Sequence, residues 1–259
     1  MDPALPLSSR EVRAESPSRS NPGRLLYPAA AVLMFVFMLL GFQQFYLRGQ
    51  GYPGHPLAPP IKGLLIAHGV AMTSWVILFL VQPLLIASGN RRIHMKVGVL
   101  GAVLAVSMVL LGLYLPIQTT RFEPDVTLWG LNRIHFMAVP MFAILTFAGF
   151  VSLGIRNRRR AEIHRPMMLL ATLAVIPAAT DRITGLPDLY EATIFGQLWG
   201  PFFVAVLVGA LFLLVKWAVT RAFDRWLAVG VAVLALVDWF VMRIAPTDAW
   251  GRFATFLVK

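Results

Sequence analysis

Residues 62–88 read KGLLIAHGVAMTSWVILFLVQPLLIAS, one cation followed by an uncharged and mostly apolar run. A helix rises about 1.5 Å per residue, so a run of this length covers the roughly 30 Å hydrocarbon core of a bilayer. Within it His68, Met72, Trp75 and Gln82 fall at i, i+4, i+7 and i+14, along one helix face. A stripe carrying an imidazole, an indole and an amide points into a bundle, because polar groups at that depth need partners.

Six more runs of the same kind flank this one. The seven spans are 25–47, 62–88, 94–116, 128–154, 163–180, 193–218 and 224–243. They predict an all-α integral membrane protein with seven transmembrane helices, in which spans two to five form a four-helix core. Composition agrees: the 259 residues are 58% hydrophobic and 14% charged, where soluble domains carry about 25% charged residues. Residues 25–245 are the transmembrane domain and 246–259 a short outer C-terminal tail. Residues 1–24, with Arg10, Arg13, Arg19 and Arg24 among Ser and Pro, read as a disordered cytoplasmic basic tail. They lack the apolar core of a signal peptide, so the first span acts as an uncleaved anchor.

Lys and Arg set the orientation. One face receives the N-terminal tail, Arg91, Arg92 and Lys96, then Arg156, Arg158, Arg159, Arg160 and Arg165, then Lys216, Arg221 and Arg225. The other receives Arg48, Lys62, Arg121, Arg133 and Arg182, with Arg243, Arg252 and Lys259 after the last span. The richer face is cytoplasmic, which places the N-terminus inside a bacterial inner membrane and the C-terminus outside. The net charge of +11 is a product of this asymmetry and does not point to nucleic acid. The chain has no cysteine, which excludes disulfides and thiolate sites. A retinal Schiff base needs a lysine inside the last span, and 224–243 contains none. No phosphate loop, zinc-protease helix or nucleophile elbow is present.

Four of the five histidines lie near span ends, and by depth they form two pairs. His68 and His135 fall about 9 and 10 Å below one face, counting from the predicted span starts. His94 and His164 open the third and fifth spans at the other face. Two facing imidazoles are a common way for a helical bundle to hold a haem iron. Arg133 and Arg182 offer cations for propionates at the outer level, and Arg92 and Arg165, with Arg91 and Lys96, at the inner one. Below His94 the stripe Gly98, Gly101 and Ala105 leaves room either for a macrocycle or for a closely packed neighbouring helix. The alternative for the inner pair is interfacial, with imidazoles solvated among headgroups. Asp181 and Arg182 at the end of the proline-interrupted fifth span, and Asp238 in the last span, add polar groups to the outer half. A structural ion pair of Asp238 with Arg182 or Arg133 is the simpler reading of that carboxylate.

The runs HGVAMTSW (68–75) with Gln82, His94 with Gly98, and HRPMMLLAT (164–172) resemble an uncharacterised family of bacterial multi-pass membrane proteins, a domain of unknown function, over roughly residues 60–185. The histidine layout is also similar to that of cytochrome b561-type dihaem proteins. There four consecutive helices supply one ligand each, paired second with fourth and third with fifth, although that type has six spans. The resemblance implies one or two haem b groups held by His68 with His135 and by His94 with His164. Electrons would then pass to or from a quinol or a redox partner protein, or the chain would serve haem or respiratory-oxidase assembly. Two other readings stay open. One is a small-solute or proton-coupled transporter using His68, His135, Asp181 and Asp238. The other is a non-catalytic membrane subunit or scaffold whose basic tail docks a partner or anionic lipid.

Overall fold

The computed structural model describes residues 22–52, 55–57 and 59–259. The predicted basic tail lies outside the described residues up to position 21. Among the described residues seven helical stretches are long and apolar enough to cross a membrane: Gly23–Gly41, Lys62–Ala87, Arg91–Phe122, Arg133–Arg156, Ala161–Thr180, Ile194–Thr220 and Arg225–Ile244.

The first stretch contains α1 (Leu26–Gly41), and the short α2 (Gln43–Arg48) follows it. A hairpin of β1 (Gln50–Tyr52) and β2 (His55–Pro56) leads to α3 (Lys62–Ala87) and α4 (Arg91–Phe122). A second hairpin, β3 (Thr127–Leu128) with β4 (Leu131–Asn132), precedes α5 (Arg133–Phe136) and α6 (Ala138–Arg156). The fifth span is α7 (Ala161–Val175) continued by α8 (Pro177–Thr180). The sixth joins α9 (Ile194–Trp199) to α10 (Phe203–Thr220), and the seventh is α11 (Arg225–Ile244). One further helix, α12 (Asp248–Val258), occupies the segment expected as a C-terminal tail.

Helices α3, α4, α6 and α7 pack in sequence, as the predicted core requires, but the centre of the molecule is the fifth span. Its apolar window is 78% buried, against 17–39% for the other six. Helices α1, α6, α10 and α11 all pack on α7. The sequence makes this possible by placing glycines where these neighbours meet the fifth span. Gly154 of α6 faces Met167 and Met168, and Gly230 of α11 faces Leu170. Gly41 at the end of α1 lies against the backbone of Ala179, so close that a Cβ there would overlap the carbonyl group. In lipid, where burying apolar surface gives helices no advantage, this close approach supplies the packing energy.

Two buried apolar clusters result. The larger contains Met34, Trp75, Phe147, Leu170, Leu173 and Leu234; the smaller contains Met137, Phe202, Val241 and Trp250. Asp238 lies on α11 between Leu234 and Val241, at the junction of the two.

Candidate functional site

The two histidine levels differ in the structure. His94 and His164 are each the fourth residue of their helix, α4 and α7. Both helices start at the same end of the bundle, so these first turns come together. The imidazole centroids are 6.4 Å apart with the rings perpendicular. Two imidazole nitrogens on opposite sides of a metal, each about 2 Å from it, hold ring centres about 6 Å apart.

The proton on His164 can be assigned. Its Nδ1 lies 2.9 Å from the carbonyl oxygen of Gly154. A carbonyl only accepts, so Nδ1 donates and the neutral ring keeps its lone pair on Nε2. His94 has a buried Nδ1 with no hydrogen-bond partner. Its backbone carbonyl accepts from Gln82 Nε2 at 3.3 Å, and Gln82 Oε1 is buried and unpartnered. Gln82 therefore points into the bundle, as its stripe predicted. So does Trp75, which is 2% exposed, donates to Thr172 Oγ1 of α7 at 3.2 Å and packs edge-on against Phe147. The small-residue stripe under His94 is used in two ways. Gly101 and Ala105 are buried, with Leu78 of α3 against Gly101, which is the helix-packing alternative. Gly98 stays exposed, its nearest neighbour being the Gln82 amide. Arg91, Arg92, Lys96 and Arg165 are all exposed at this end, and Arg91 and Arg165 act electrostatically on His94.

The outer level is not a pair of the same kind. The fourth span starts at Arg133, because residues 127–132 form the hairpin, so His135 belongs to the first turn of α5 and lies about 3 Å below its start. His68 keeps its depth of about 9 Å in α3. The matched depth expected for the two is therefore lost. His135 rests on α12, with Nε2 only 2.7 Å from where a Cβ on Gly251 would stand. His68 has a buried, unpartnered Nδ1 and lies within electrostatic reach of Arg182. Among the described residues the one ring contact between histidines is that of His94 with His164.

The outer polar residues have their own partners. Arg182 donates to the Ala178 carbonyl and its guanidinium lies 5.1 Å from the Phe42 ring centroid. Arg133 pairs with Glu123 at 3.0 Å. Asp238 is 2% exposed, its Oδ2 is unpartnered, and none of the ion pairs among the described residues includes it. The ion pair expected for it with Arg182 or Arg133 does not form, because both cations are engaged elsewhere.

Asp181 accepts from Trp129 Nε1 at 2.7 Å, and Trp129 stacks on Tyr190 with centroids 5.7 Å apart. Sequence reasoning missed both aromatic residues. Trp129 has a positive φ of 52° in a two-residue hairpin turn completed by Gly130. That region is unfavourable for a bulky residue, and the bond to Asp181 helps to hold it there. Burial raises the Asp181 carboxyl above the usual carboxylate range, with Trp129 and Arg182 opposing. The native state thus binds this proton more tightly than the unfolded chain does. The contribution is most favourable below the unfolded pKa of about 4 and declines as pH rises through the folded value. Asp181→Asn keeps the acceptor for Trp129 and removes the titration. Its melting temperature, measured from pH 4 to pH 7, is therefore expected to fall less with rising pH than that of the wild type.

The cluster of Lys216, Asp224 and Tyr27 was also missed. Lys216 is ion-paired with Asp224 and donates to Tyr27 Oη at 3.0 Å, while Asp224 caps α11 through the Leu227 N–H. It ties α1 to the turn between α10 and α11.

Among the described residues no group of three or more His, Cys, Asp or Glu side chains is placed to hold a metal ion. The one ring contact between histidines among the described residues joins α4 to α7. No protein-family model, no curated protein and no solved structure matches the chain.

Proposed function

We propose that the chain is a haem-binding protein of the bacterial inner membrane, N-terminus cytoplasmic, in which His94 and His164 would hold one haem b. The observation that carries this reading is the perpendicular imidazole pair with centroids 6.4 Å apart. The surroundings fit an iron ligand set. The Gly154 carbonyl fixes the ring of His164 and raises the basicity of its Nε2, the usual office of the group behind a metal-bound histidine. Gln82 anchors the first turn of α4 through the His94 carbonyl. Arg91, Arg92, Lys96 and Arg165 are exposed cations that would receive haem propionates, and Gly98 leaves the surface beside His94 open. The haem would supply one-electron chemistry.

A single haem at this end does not bridge the bilayer, so the role proposed is electron exchange with a quinol or protein partner at the cytoplasmic face. Handling of haem for oxidase assembly is the close variant. His68 and His135 have no place in this ligand set. A second reading, proton- or solute-coupled transport, rests on Asp238, a buried carboxyl without an ion-pair partner. Asp238→Asn separates the two. Under the haem reading it leaves haem content and the reduced spectrum unchanged.

A further inference from the structure

Where α12 crosses α5, the structure has a cleft of about 480 Å³ whose rim carries His135, Asp248, Arg252, Phe256 and Lys259. Its walls are fixed. Thr247 caps α12 by accepting the Trp250 N–H, and the Trp250 indole donates to the Ile134 carbonyl at 3.3 Å. Arg121 of α4 donates to the Val258 carbonyl at 2.6 Å. The imidazole of His135 lies on Gly251, where no side chain keeps it away. Trp250 and Ala254 bury one face of α12 while Phe253 and Phe256 remain 50% and 74% exposed on the other.

Arg252 follows Asp248 by one helical turn, the spacing at which the two would pair. They do not: none of the ion pairs among the described residues includes Asp248, Arg252 or Lys259. The cleft therefore joins two cations, which outnumber the single Asp248 carboxylate beside them, to an exposed phenyl ring at its mouth. It also stands just past the end of α11, so its depth is that of a membrane surface. A soluble anion would use the cations and leave Phe253 and Phe256 in water. A phosphate carrying acyl chains uses both.

We infer that this cleft is a binding site for an anionic phospholipid. Arg252 and Lys259 receive the phosphate, His135 forms the inner wall, and Phe256 lies against the upper acyl chain. This inference is independent of the haem pair at the other end of the bundle.

The test uses the full chain, delipidated in detergent. Native mass spectrometry counts bound lipid after addition of dioleoylphosphatidylglycerol or dioleoylphosphatidylcholine in mixed detergent micelles, with inorganic phosphate as competitor. The wild type is expected to retain phosphatidylglycerol preferentially, with no displacement by millimolar phosphate. Each surface Lys or Arg contributes a modest attraction, so Arg252→Gln with Lys259→Gln should weaken phosphatidylglycerol binding about thirtyfold and leave phosphatidylcholine unchanged. Equal retention of the two lipids by the wild type would overturn the inference, and that comparison needs no variant. So would full displacement by inorganic phosphate, which marks a free-phosphate site. An equal loss in Arg158→Gln with Arg159→Gln, at the opposite end, would also overturn it, since general charge would then explain the binding.

Discussion

Replacing either His94 or His164 with alanine is expected to remove haem from the purified protein, while replacing His68 or His135 leaves it in place. The expectation follows from the positions of the four rings. The ring centroids of His94 and His164, from the first turns of α4 and α7, lie 6.4 Å apart. His135 lies on α12, and His68 lies in reach of Arg182. Loss of a group that merely orients a metal ligand costs about 10- to 100-fold in affinity, so loss of a ligand itself should leave less than about a tenth of the haem. The measurement is haem per chain by pyridine haemochrome on each alanine variant, with gel-filtration elution as the control for folding. Haem unchanged in His94→Ala or His164→Ala, or lost in His68→Ala, counts against the assignment.

The second large effect is structural. Gly41→Val is expected to abolish the folded protein. A Cβ at Gly41 overlaps the backbone of Ala179, which has no rotamer with which to retreat. Relief would require α1 to move off α8 and would open the face of Met34 and Met38, both buried. Overpacking against side chains costs typically about 1–3 kcal/mol, and a backbone obstacle costs more. Gly230→Ala is the comparison. There the first obstacle is the tip of Leu170, a side chain able to shift, so a smaller loss is expected. Thermal melts of both variants in the same detergent decide it, and equal melting temperatures would show that α1 is not held by this contact.

Much of the fold was legible because hydropathy and charge report span ends well where a helix stops at a cation. The second span, read as 62–88, is Lys62–Ala87, and the seventh, read as 224–243, is Arg225–Ile244. Errors arose where apolar residues do something other than span. The segment Thr-Leu-Trp-Gly-Leu-Asn at 127–132 is hydrophobic enough to extend a span yet forms a hairpin. That moves His135 from deep in the expected span to the first turn of α5. The third helix runs on to Phe122 past Pro116, because the Thr119 and Thr120 hydroxyls bond the Pro116 carbonyl and keep polar residues within the helix. The last helix carried a signal that was overlooked: Thr247 as a cap, then Trp250, Ala254 and Leu257 at i, i+4 and i+7.

The proximity of His94 and His164 was legible for the same reason as the spans, since each histidine follows an Arg-rich turn that fixes the helix start. Its most informative partner was not. Gly154 contributes through a backbone carbonyl, for which no side chain in the sequence is a marker. Trp129 on Asp181 also depends on a long-range contact across 52 residues.

The central claim is that His94 and His164 hold one haem. Its most direct test is the visible spectrum of the protein purified in detergent from haem-replete cells, oxidised and then reduced with dithionite, with haem quantified per chain. A sharp Soret band that shifts on reduction, at a ratio near one, is the predicted result. A colourless protein would contradict the claim.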